Sequence, residues 1–295
     1  FIYPKDFDNK LLRQYLESIQ MSSRHKTEDI LINLGVAQKV NGKLLFNNAG
    51  ILFFAKEPCK YFPSAYVDMV IFKGTERFDV IDRKIFKSGL LDILNQTRVY
   101  FREHLNVRYK YKDDWKRENV YEIPLDALRE AVVNALIHRD YFEYGSNTCV
   151  SIFDDRIEVV NPGGLLKPLT VKDLGKRTKR RNEIIADLFS RLEFVEKLGT
   201  GITKMRNWMK DNGLDAPRIE TNGFFTITFN RPVKGIEKGV EKGVENLSKK
   251  EIAILGIIKG NIHISKQEIA TKGKLSKKAV EYNIEKLKKG GLLKR

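Results

Sequence analysis

Glu130, Asn134 and His138 stand four residues apart in a stretch of helical character. At about 100° per residue, each step of four drifts by only about 40°, so a carboxylate, an amide and an imidazole share one face. That set suits phosphate chemistry. The Asn carbonyl can ligate Mg2+, the Glu can orient or deprotonate a water, and the His can donate a hydrogen bond to phosphate. An amphipathic helix turning three polar residues to water has the same spacing, so the stripe needs support from elsewhere. Two glycine motifs supply it, in order. In Asn161-Pro162-Gly163-Gly164, the glycines end a strand and let backbone approach a flat ring with no Cβ between. Gly199-Thr200-Gly201 opens a helix, where free N–H groups and the positive end of the dipole favour phosphate. Each motif alone reads as a turn. Together, and in this order, they read as a nucleotide pocket without a P-loop.

The elements that must hold these residues are legible nearby. Pro124 suits the first turn of a helix running to about Arg139. Thr148 to Phe153 and Arg156 to Val160 read as strands joined at Asp154-Asp155, the second stopped by the Asn161 motif. Asn182 to Arg191 reads as a helix, and another follows Gly201, carrying Ile202, Met205 and Trp208. Arg218 to Phe229 reads as a hairpin turning at Asn222-Gly223. Upstream, Thr27 to Leu34 is helical, Tyr66 to Phe72 alternates as a strand, and Ser88 to His104 is a helix with Ser88 as its cap. Residues 165–181 are polar and basic, with Lys172, Lys176, Arg177, Lys179, Arg180 and Arg181. Phosphates of a nucleotide and DNA suit that stretch equally.

These motifs resemble the GHKL (Bergerat-fold) ATP-binding proteins: gyrase B subunits, histidine kinases, heat-shock chaperones and mismatch-repair ATPases. Glu130, Asn134 and His138 match that family's N-box. Asn161-Pro162-Gly163-Gly164 matches its adenine-side glycine box, and Gly199-Thr200-Gly201 its phosphate-side box. The resemblance implies a mobile lid at 165–198, with ATP and Mg2+ as cofactors. Asn134 would ligate the metal and Glu130 would be the general base. A closer likeness is to "RecG C-terminal-like" prokaryotic transcriptional regulators. It is carried by Arg129 to Tyr141 and by Glu196 to Ile202. In that group an AlbA-type (Schlafen-like) domain precedes, and residues 1–115 look like its tail and connector. One departure stands out. The superfamily has Asp where this chain has Asn161, and an amide lacks the charge that strengthens the bond to an adenine amino group.

The 295 residues carry a net charge of +16. Residues 248–295 hold 13 basic residues against four Glu, a local charge of +9. Such a single-signed segment favours a polyanion. Before it, residues 234–245 repeat Lys-Gly-Ile/Val-Glu. Glycine at every fourth position opposes a stable helix, so 233–246 reads as a linker. Leu247 to Ile258 and Ser265 to Ala270 read as helices opened by capping boxes, Ser248 with Glu251 and Ser265 with Glu268. Ser276 to Lys289 is a third helix, with Val280, Ile284 and Leu287 facing a core. This is the order of a winged helix-turn-helix truncated in its wing, whose last helix enters a major groove. Ser276, Lys277, Lys278, Tyr282, Asn283 and Lys286 form the face offered to DNA. The lysines would meet phosphate, and Tyr282 or Asn283 a base edge. A helical protein-interaction module is the competing reading of the same pattern.

No Gly-x-x-x-x-Gly-Lys-Ser/Thr occurs, which excludes a P-loop helicase. No histidine is followed by an acidic residue, which excludes a histidine-kinase phospho-acceptor. Cys59 and Cys149 are too few for a zinc site and read as free thiols in a reducing cytoplasm. No apolar run is long enough to span a bilayer. The chain begins at Phe1 and is expected to belong to a longer one. The expectation is an α+β protein. A connector (1–115) leads to a Bergerat-type α/β sandwich (116–232), the linker (233–246) and the winged helix (247–295). Its function would be that of a cytoplasmic regulator whose ATP or ADP occupancy modulates DNA binding, with two-fold symmetry expected of such a regulator. The alternatives are a slow ATPase in nucleic-acid processing or defence, and a scaffold with a degenerate pocket.

Overall fold

The computed structural model describes every residue except 22–23, 112–116, 178, 194–199, 233–247, 261–263, 274, 290–292 and 294–295. The linker repeat, Gly199 and most of the expected wing therefore lie outside the described residues. Two compact units divide at Arg231: Phe1–Arg231 and Pro232–Arg295.

The first unit opens with α1 (Asn9–Ser18), α2 (Thr27–Asn33), a β1–β2 hairpin (Ala37–Val40, Lys43–Phe46) and α3 (Asn48–Phe54). Strands β3 (Val67–Lys73) and β4 (Asp79–Phe86) precede α4 (Leu90–His104), and a β5–β6 hairpin follows (Val107–Tyr111, Arg117–Tyr121). Then come α5 (Leu125–His138), β7 (Thr148–Ile152), β8 (Arg156–Pro162), α6 (Glu183–Arg191), α7 (Gly201–Asp211), β9 (Arg218–Glu220) and β10 (Phe224–Asn230). Six strands form one mixed sheet in the order β4-β3-β7-β8-β10-β9. Only β3 and β7 run parallel, and they are joined by the helical crossover that a parallel pair requires. The architecture is mixed α+β.

The sheet crosses the boundary expected at residue 115. Strands β3 and β4, from the segment read as a connector, pair with each other and with β7. Val67 and Met69 of β3 join Val150 and Ile152 of β7 in one core. The described elements before β5 are thus built into the same body as the rest of the unit. A strand pairing across some 80 residues leaves no local mark in a sequence, so nothing in residues 1–115 separates a connector from a part of this sheet. Ser88 does not cap α4. Gly89 takes the cap position, and a Cβ there would run into the Phe53 backbone carbonyl. The Ser88 hydroxyl instead accepts a bond from Gln96 at 3.0 Å.

Helix α5 is central. Leu128, Val132, Val133 and Leu136 are all buried, and the helix packs against α4, α6, α7 and β8. Each such side chain contributes roughly 1.5–3 kcal/mol of burial. A helix covered this completely has little room for a carboxylate, which makes Glu130 the exception to explain. On the sheet, residues two apart share a face. Ile157 and Val159 of β8 point into the core, and Asn161 continues that row.

The second unit holds α8 (Lys249–Gly260), α9 (Lys266–Gly273) and α10 (Lys277–Lys289) around Ile254, Ile269, Val280, Ile284 and Leu287. Both capping boxes close. Glu251 N–H donates to Ser248 and Ser248 N–H to Glu251, and Ser265 and Glu268 repeat the exchange. Among the described residues, no helix is long and apolar enough to cross a membrane.

Candidate nucleotide site

Glu130 is buried, only 3% exposed, on the α5 stripe. The Asn134 amide donates to its Oε1 at 3.1 Å. That bond turns the Asn134 N–H toward Glu130 and leaves Oδ1 as the atom able to meet a cation. Gly201, the first residue of α7, lies directly on this pair. A Cβ added at Gly201 would collide with Glu130 Oε1 and stand 3.2 Å from the Asn134 amide nitrogen. The first and third motifs are therefore in contact, with the α7 N-terminus at the Glu130 end of the stripe. Thr200 stands at the α7 cap, and its carbonyl receives the Lys204 N–H at 2.9 Å.

The second motif closes the other end, about 12 Å away by helical rise. Gly163 has φ +89°, a conformation few side chains tolerate. Arg181 ties this turn to α5. Its Nε donates to the His138 carbonyl at 3.0 Å, Nη1 to Asp140 at 3.2 Å and Nη2 to the Gly164 carbonyl at 3.3 Å. Asn182 donates to the carbonyls of Ile137 and Arg139, both at 2.8 Å. These residues satisfy the orphan carbonyls of the α5 C-terminus. Burial, reinforced by Arg181 and Arg180, pushes the His138 imidazole down to about 4. His138 is therefore neutral near pH 7 and meets a ligand through one N–H and one lone pair.

Glu130, Asn134, His138, Asn161, Gly163, Gly164 and Gly201 line one cavity of about 120 Å³. Its walls divide by chemistry. Leu165, Leu166, Leu174, Phe225 and Ile227 supply apolar surface, and Arg177, Lys179, Arg180 and Arg181 supply positive charge. Asn161 is 2% exposed and accepts a bond from the buried Thr148 hydroxyl at 3.0 Å. The basic stretch is folded over α7 here: a Cβ at Gly175 would lie 2.8 Å from Thr203 Oγ1. Among the described residues, no cluster of three acidic, His or Cys side chains could hold a metal by itself. A Mg2+ would need oxygen ligands from the bound molecule, as its usual coordination allows.

In the sequence Arg181 stands only as one of a basic run and Asn182 only as the start of a helix, with no sign of the bonds that tie both to the end of α5. A signal for Asn161 did exist. It is a polar residue at the next inward position of an otherwise apolar strand row.

The residues read as a DNA face fall into two groups. Lys277 and Lys278 open α10 and Tyr282 is 68% exposed, while the Ser276 hydroxyl accepts the Ala279 N–H at 3.2 Å and so caps α10. Asn283 and Lys286 are engaged inside the unit. Asn283 is 8% exposed and donates to the Ala279 carbonyl at 2.7 Å. It lies three residues after Val280 and one before Ile284, on the apolar stripe. Lys286 pairs at 3.1 Å with the buried Glu251 carboxylate.

A family model described as "Putative ATP-dependent DNA helicase recG C-terminal" matches residues 145–229. The match runs through β7, β8, α6, α7, β9 and nearly all of β10, and it begins after α5. No curated protein matches. In fold the chain is similar to the crystal structure of the DIP2311 protein from Corynebacterium diphtheriae, with a TM-score of 0.65 and 22% identity. The likeness covers 95% of this chain and 57% of that one, so the chain spans little more than half of that protein's length. Residues 145–229 thus carry a similarity to an ATPase-like domain family, on a fold shared with DIP2311.

Proposed function

We propose that the cavity binds a nucleoside triphosphate with Mg2+, in a Bergerat-type arrangement, and that the three-helix unit is a winged helix that binds DNA. The observation that carries the first part is the contact of Gly201 with Glu130 and Asn134, which brings two distant motifs to one cavity. Apolar walls suit a base, and the α7 N-terminus with Arg177, Lys179 and Arg180 suits phosphates. Asn134 Oδ1 would take Mg2+ alongside phosphate oxygens. The metal would neutralise phosphate charge, and Asn134 would orient it.

Nucleotide occupancy would then alter DNA affinity, which requires that the ligand favour one arrangement of the protein over another. On the DNA side, Lys277, Lys278 and Tyr282 carry the proposal. DNA titrations with and without Mg-ATP test the coupling, and equal affinities would remove it. A second reading, slow hydrolysis, is favoured by the buried Glu130 carboxylate, held by Asn134 where it could orient a water. Turnover lost in Glu130→Ala would support it. The helicase named in the matched description is not carried over, because the chain has no P-loop motif.

A further inference from the structure

On the reading that this cavity takes a nucleoside triphosphate, we infer that Asn161 makes it prefer a base bearing an oxo group, a 6-oxopurine such as guanine or hypoxanthine, over adenine. Thr148, Asn161 and Phe225 form one row across three neighbouring strands, all on the face turned to α5. Asn161 and Phe225 of this row line the cavity, beside the Cβ-free turn of Gly163 and Gly164 and the apolar side chains of Leu165, Leu166 and Ile227, while Thr148 lies behind Asn161. The phosphate-binding features stand instead at Gly201 and on the basic stretch. A ring in the cavity meets Asn161 as its reading group.

Which atom Asn161 presents follows from its neighbour. The Thr148 hydroxyl donates to Asn161 Oδ1 at 3.0 Å. Turning the amide over would make that hydroxyl an acceptor. Its proton, in a fully buried side chain, would then have no acceptor among the described residues. Such an orphan is costly. The amide is therefore held with its oxygen on Thr148 and its N–H groups toward the cavity. Among the described residues no acceptor meets them. A donor in that place rewards an acceptor on the base. The oxo group of guanine or hypoxanthine is one, whereas adenine carries an amino donor at the same ring position.

Calorimetric titration of the full chain with the Mg2+ salts of ITP, GTP and ATP tests this. ITP, which lacks the 2-amino group of guanine, isolates the oxo contact. ITP and GTP are expected to bind about tenfold tighter than ATP. Asn161→Asp, with acceptors only, should reverse that order. Thr148→Val, which frees the amide to turn, should erase the preference. ATP binding as tightly as ITP to the native chain overturns the inference and leaves the nucleotide reading standing. Failure of all three to bind overturns both. Circular dichroism reports whether either variant folds, and if one does not, the native comparison decides.

Discussion

Gly201 packs against the Glu130 carboxylate with no space for a side chain between them. Gly201→Ala gains helix propensity, worth up to about 1 kcal/mol, yet drives its methyl group into Glu130. Global stability should stay within about 1 kcal/mol of the native value. Nucleotide affinity should fall by about tenfold or more as Glu130 and Asn134 move. Thermal melts and titrations read the two effects separately, and unchanged affinity would mean that the contact has no part in binding.

Arg181 joins the glycine turn to α5 through three hydrogen-bond partners. Arg181→Ala should raise hydrogen exchange across residues 163–181 and weaken nucleotide binding. Arg181→Lys keeps the charge and loses the fork, so it should not restore either property. Recovery with Lys would point to charge alone.

The His138 pKa in the fold, about 4, lies below its ordinary 6.5, because of burial first and then Arg181 and Arg180. Above pH 6.5 both folded and unfolded chains leave it neutral. Between 6.5 and about 4 only the unfolded chain takes the proton, so stability is lost as pH falls through that window. The loss should approach about 3 kcal/mol at pH 4. Urea unfolding at several pH values should show it in the native chain and show less of it in His138→Gln. Identical pH profiles would place the acid sensitivity elsewhere.

The end of β10 is fixed by a buried ion pair. Arg231 and Glu122 lie 2.7 Å apart, and their side chains are 9% and 6% exposed. Glu122 also accepts from Asn106 N–H and Nδ2. Removing one partner strands the other charge. Arg231→Ala should destabilise the first unit by about 3–5 kcal/mol, measured by urea unfolding.

In the three-helix unit, lysines that look alike should behave differently. Lys286→Ala breaks the contact that, after the Ser248 hydrogen bonds, helps hold Glu251 down at about 2, so it should lower the melting temperature. Lys277→Ala and Lys278→Ala should leave melting unchanged. Each should weaken DNA binding and reduce the salt slope by about 1. Equal DNA loss in all three would contradict the assignment.

How far the sequence discloses this molecule depends on the range of the interactions. Helix α5 and the β7–β8 and β9–β10 hairpins are legible because Pro124, Asp154-Asp155 and Asn222-Gly223 act within a few residues. The cavity is legible because the Glu130 spacing is a property of one helix. The β3–β7 pairing is not, since its partners are brought together only by tertiary packing. Strand β4 is hidden by charges on both faces, as Asp79, Asp82, Arg83 and Lys84 interrupt its alternation. Asn283 looks outward-facing by residue type, although its spacing from Val280 and Ile284 puts it on the buried stripe. Residue type outweighed position there, and position decides burial.

The central claim is that one cavity holds a nucleoside triphosphate and its Mg2+. Titrating the full chain with ATP, ADP and GTP, with and without Mg2+, tests it most directly. Saturable one-to-one binding is expected, dependent on Mg2+ and weaker by about tenfold or more in Asn134→Ala. Absence of binding by every nucleotide in the native, folded chain would contradict it.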